Sequence, residues 1–133
     1  MLAQTFKTPA DLYLDDKEFE ALVKVMRMLE SGEIVYRSSG SKEVGFNMME
    51  WHNECNTVHC IAGLCDHLFG TAFTHGCPNR ALEDLFLVRW WDATRRRRTA
   101  PAPLNWISED EAAMAIRNYL STGDARWNEV LEV

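Results

Sequence analysis

The stretch DDKEFEALVKVMRMLESG, residues 15–32, carries the clearest fold signal in this chain of 133 residues. Its apolar side chains recur every three or four positions, which is the period of a helix with one buried face. These positions are Phe19, Leu22, Val23, Met26 and Leu29. Gly32 stands where a C-cap glycine belongs. The pattern predicts a first helix that begins at Asp15 or Asp16 and ends before Gly32.

A second helix signal lies near the C-terminal end of the sequence. Ser108 and Glu111 fit a capping box, and Gly123 follows the last apolar position. The side chains expected to face the core are Ala112, Ala115, Ile116 and Tyr119. A further helical turn or two is predicted from Trp127 to Leu131, and we expect Trp127 to pack against the core because tryptophan buries a large area.

Two more helices are predicted in the middle of the chain. Thr57 is a suitable N-cap for a helix that ends at Gly70. The apolar stripe of this helix consists of Ile61, Leu64, Cys65 and Leu68. Asn79 can open another helix, and its apolar positions are Leu82, Leu85 and Phe86.

Strand signals are confined to two short β-prone runs, residues 33–37 and 44–48, which flank the connection 38–42. This arrangement predicts a β-hairpin. The length suits one domain with its own core. We therefore predict a single α+β domain over residues 1–133, mainly helical, with four or five helices and a small hairpin.

Composition restricts the location and the partners. The sequence contains no long apolar run and its N-terminal residues lack a secretory signal, so we expect a cytoplasmic protein without a membrane span. The net charge of −6 disfavours a generic nucleic-acid binder. Arg95, Arg96, Arg97 and Arg98 form a basic run in a proline-flanked connection. We interpret this run as a docking segment for a protein partner of unknown identity.

Three cysteines and three histidines lie within residues 52–67, and His75 and Cys77 follow closely. In a reducing cytosol such cysteines are thiols or metal ligands rather than disulfides. Nitrogen and sulfur ligands in a tetrahedral set are typical of zinc. The candidate ligands are His52, Cys55, Cys60, His75 and Cys77. The spacing matches no regular zinc-finger pattern, so zinc is one hypothesis among several.

The cysteines also allow a thiol chemistry. With Thr57 as N-cap, Cys60 takes the third helical position, where the helix dipole favours a thiolate. Cys60 is therefore the candidate nucleophile if the protein is a thiol-dependent enzyme. Cys65 falls on the apolar stripe and is expected in the core. On this helix Cys60 and His67 lie along the edge of the stripe, whereas His59 points to the other side.

The residues around these cysteines resemble a motif of small uncharacterised bacterial and phage proteins, F-x-M-x-x-W followed by C-G-T-x-x-C-I-A-G-W. Asn56 and Leu64 depart from it. The resemblance implies that four motif residues belong to one recurring local structure, and it implies no activity. They are Cys55, Thr57, Cys60 and Gly63.

The segment 59–64 is also similar to the helix start that carries the nucleophile in papain-like cell-wall peptidases. Those folds need a downstream strand that presents a histidine, and the sequence has no histidine after His75. We therefore expect an accessory or interaction protein. The alternatives are a zinc-binding module and a thiol-dependent enzyme with a redox or nucleophilic cysteine.

Overall fold

The computed structural model of the chain describes residues 6–39, 42–48, 58–70, 80–87 and 107–131. Within these ranges it contains five α-helices, three short strands and one turn of 3-10 helix. The helices are α1 (Asp16–Ser31), α2 (Ile61–Phe69), α3 (Arg80–Leu85), α4 (Glu109–Thr122) and α5 (Trp127–Val130), and the 3-10 turn is Ala10–Leu12. The strands are β1 (Arg37–Ser39), β2 (Lys42–Phe46) and β3 (Val58–His59). The predicted class, mainly helical α+β with a hairpin, is confirmed.

Helices α1 and α4 form the centre of the fold. Each begins with a complete capping box, in which Asp15 pairs with Glu18 and Ser108 pairs with Glu111. Each ends at a glycine in the left-handed conformation. The two helices pack against each other, and their apolar faces are buried at Leu22, Val25, Met26, Leu29, Ala112, Ala115, Ile116 and Tyr119. The predicted helix boundaries are confirmed. The predicted core positions are confirmed except for Phe19 and Val23, which are only partly buried and pack against the core.

The shorter helices close the core on its other sides. In α3, Leu82 and Leu85 are fully buried. The indole Nε1 of Trp127 donates hydrogen bonds to the carbonyl oxygens of Asp84 and Leu85, at 3.0 and 3.1 Å. This side chain therefore fastens α5 to the end of α3, as expected of Trp127. None of the helices that the structure describes combines the length and the apolarity needed to cross a membrane.

The predicted hairpin is present, but β1 begins later than the sequence suggested. The register pairs Arg37 with Val44 and Ser39 with Lys42 in an antiparallel ladder. Residues 33–34 are unavailable to the strand because the N–H groups of Glu33 and Ile34 donate to the carbonyl oxygen of Met28, at 3.1 and 3.3 Å. These bonds supply partners for a carbonyl group in the last turn of α1, where such groups lack partners within the helix. The hairpin therefore starts only after the helix end is closed.

A third strand, β3, was not predicted. It pairs with β2 in parallel, so that Phe46 lies opposite His59, and the N–H of Asn47 donates to the carbonyl oxygen of His59 at 3.0 Å. A helix that begins after Thr57 would include these residues, but the helix begins only after Cys60. The described sheet therefore has the order β1-β2-β3, and its third strand leads directly into α2.

Candidate functional site

Most of the residues singled out in the sequence lie outside the described ranges. This applies to His52, Cys55, Thr57, His75 and Cys77, and to the arginine run 95–98. Of the five candidate zinc ligands, only Cys60 is described. Among the described residues, no group of three or more histidine, cysteine, aspartate or glutamate side chains could hold a metal ion. The proposed zinc set and the arginine run therefore stay predictions.

Cys60 is the N-cap of α2, so its predicted place at the third helical position is wrong. Its backbone is extended, with φ −79° and ψ −176°, and its Sγ accepts a hydrogen bond from the N–H of Gly63 at 3.5 Å. The thiol thus takes the role that serine, threonine, aspartate or asparagine usually plays at this position. Two of the four motif residues, Cys60 and Gly63, are in direct contact through this bond.

Cys65 lies one turn further along α2 and is completely buried. Burial raises the pKa of the Cys65 thiol, and the nearby charges of Cys60 and Asp66 raise it further. A protonated, inaccessible thiol is a poor nucleophile. The expectation that Cys65 is a core residue is confirmed. Both described cysteines are thiols, and Cys60 is only 8% exposed.

The largest departure from the predicted site concerns two histidines. His59 was expected to point away from His67, but it lies in β3, and its ring stacks on the His67 ring. The ring centroids are 4.4 Å apart and the planes are inclined by 21°. His59 is 2% exposed, whereas His67 is exposed. The imidazole pair therefore joins the end of the sheet to the outer face of α2.

The stacked histidines line a groove of about 460 Å³. We call it the hairpin groove, and it is bounded by the end of α1, the β1–β2 hairpin and the outer face of α2. Its apolar lining comprises Met28, Ile34, Val35, Val44, Leu64 and Leu68. Its polar side chains are Glu33, Arg37, His59 and His67. The groove is thus assembled from segments that are distant in sequence.

The hairpin lies beside the groove with one close backbone contact, between Gly45 and Val35. Gly45 has φ +103°, and a Cβ atom at this position would lie too close to the carbonyl oxygen of Val35 for both atoms to fit. Such a clash excludes any side chain, so glycine is required if strand β2 is to lie against residue 35. Gly45 therefore determines the position of one wall of the groove.

A second set of contacts fixes the other side of the hairpin. The N–H of Tyr36 donates to Oε2 of Glu109 at 2.7 Å, which links the hairpin to the first turn of α4. The Tyr36 hydroxyl donates to Oε1 of Glu43 at 2.8 Å. This hydrogen bond is the main cause of a raised pKa of Tyr36. The groove wall is thus anchored to the helical core through Glu109.

Exposed apolar side chains concentrate at the groove. Among the described residues, six large hydrophobic side chains are exposed. Val35, Val44 and Leu68, at 38%, 44% and 40%, line the groove, and Tyr36 follows Val35 in sequence. The other two are Tyr13 and Met114, which do not line it. Leu68 was expected in the buried stripe of α2, and its exposure corrects that prediction.

The chemistry available in the groove is that of binding. An arginine guanidinium offers a planar fork of donors, and a neutral imidazole carries one donor and one acceptor. The apolar lining beside them can remove a hydrophobic side chain from water. The sequence did not single out Arg37, Val35 or Val44. The only signal was the β-prone character of the two runs, which does not reveal which face stays uncovered.

Comparisons with protein-family models, with curated proteins and with solved structures found no match to this chain.

Proposed function

We propose that this chain is a cytoplasmic accessory protein that binds an apolar segment of a partner protein in the hairpin groove. The observation that supports the proposal most directly is the clustering of Val35, Val44 and Leu68 at one concave site. Isolated exposed hydrophobic side chains are ordinary on soluble proteins, whereas exposed hydrophobic side chains grouped around one groove are found at interaction sites.

The size of the groove is compatible with this function. Its volume of about 460 Å³ falls within the roughly 300–1,000 Å³ that ligand sites occupy. Such a space accommodates a few side chains of a docked segment rather than a whole domain. The anchored hairpin favours binding further, because a wall fixed by Gly45 and Glu109 loses little conformational freedom when a partner arrives.

A photocrosslinking experiment in cells of the source organism tests the proposal. A benzoylphenylalanine at position 44 or 68 is expected to capture the same partner protein. The same residue at position 13 or 114, where Tyr13 and Met114 are more exposed than Val44 and Leu68, is the control and should not capture it. Leu68→Asp should abolish capture from position 44, and Met114→Asp should leave it unchanged. Capture that is equal at positions 68 and 114 would refute the proposal.

The run Arg95 to Arg98 is a further candidate docking segment, and its support comes from the sequence alone. Changing all four arginines to glutamate is expected to remove a salt-sensitive partner while the melting temperature stays nearly constant. An unaltered set of co-purifying proteins after this change would contradict the assignment.

The zinc module and the thiol enzyme also rest on the sequence. Zinc would be present at about one equivalent per chain, and a chelator would then lower the melting temperature strongly. A thiol enzyme requires that Cys60 is alkylated rapidly at a pH well below about 8.5, which is the pKa of a free thiol. We expect the opposite, because Cys60 is buried and its sulfur already accepts a hydrogen bond from Gly63.

A further inference from the structure

We draw no further inference here: the strongest candidate, the hairpin groove with the stacked imidazoles of His59 and His67 in its wall, belongs to the site already described, and nothing in the described parts of the chain shows what covers it.

Discussion

The helical core, formed by α1 and α4, and the groove side, formed by the three strands and α2, are built by different means. In the core, both helix starts are capped by oxygen acceptors, with the Glu18 N–H 2.7 Å from Asp15 Oδ1 and the Glu111 N–H 3.1 Å from Ser108 Oγ. On the groove side, α2 is capped by the sulfur of Cys60 at 3.5 Å. Sulfur is a weak acceptor.

This difference separates stability from recognition. In α1 and α4, the capping residues and the apolar face specify the same helix. We therefore expect these two helices to supply most of the stability of the fold. The groove side depends on contacts between distant segments, and its lining is partly exposed. We therefore expect core substitutions to change unfolding and groove substitutions to change binding.

The largest expected effect is that of Leu22→Ala in α1. Leu22 is completely buried, and truncating a buried leucine lowers the free energy of unfolding by about 2–5 kcal/mol. The matched change Leu68→Ala, at the exposed rim of the groove, should stay within about 0.5 kcal/mol. Chemical denaturation measures both. Comparable losses would mean that the groove side carries as much stability as the core, and the distinction would fail.

Gly45→Ala tests whether the groove wall depends on the close backbone approach. The new methyl group would collide with the Val35 carbonyl, adding about 1–3 kcal/mol of overpacking to about 1–2 kcal/mol of left-handed strain. Gly32→Ala provides the control, because Gly32 also has a positive φ but nothing within 4 Å of its Cβ position. It should show the strain alone. Equal unfolding free energies for the two variants would contradict the steric argument.

The raised pKa of Cys65 predicts how the free energy of unfolding changes at alkaline pH. Its pKa is raised by burial, so the folded chain keeps a proton that the unfolded chain loses near pH of about 8.5. This contribution to stability is complete below that pH and is lost as the pH rises above it. The free energy of unfolding should fall by up to about 1.4 kcal/mol per pH unit. Cys65→Ala should flatten the slope, and parallel curves for the two proteins would exclude this role.

The smallest expected effect belongs to the Tyr36–Glu43 hydrogen bond at the surface of the hairpin. Glu43→Ala should lower the pKa of Tyr36 toward its ordinary value, since the carboxylate no longer accepts from the hydroxyl. Ultraviolet titration of the phenolate measures this shift, and Tyr36→Phe identifies the signal. The unfolding transition should not move. A large loss of stability in Glu43→Ala would mean that the hairpin contributes strongly to the stability of the fold, which the distinction between the helical core and the groove side does not allow.

The parts of the fold that the sequence predicts well are those with local signals. Helix α4 follows directly from Ser108, Glu111 and Gly123, because its caps and its apolar period lie within sixteen consecutive residues. The start of α2 was misassigned since Thr57 is a better N-cap by composition than Cys60. Strand β3 depends on pairing with β2, and the His59–His67 stack depends in turn on β3. Such contacts between segments leave no periodic pattern to detect.

The candidate site was harder to predict than the fold. Two members of the Cys/His cluster, His59 and His67, line the hairpin groove. The remaining walls of the groove, Val35, Arg37 and Val44, carry no chemical motif. They line the same groove as α2 because β2 pairs with β3, which leads into α2, and this arrangement cannot be read from residue types alone.

The ion pair between Arg117 of α4 and Glu30 of α1 spans 87 positions in the sequence. A ribosome that adds about 5–20 residues per second needs roughly 4–17 s to cover this distance. During that interval α1 has been synthesised, but the helix that covers its apolar face has not. The nascent chain therefore contains Leu22, Met26 and Leu29 for several seconds before the helix that packs against them has been made. Because the two central helices are so far apart in sequence, their packing cannot be completed until α4 has been synthesised.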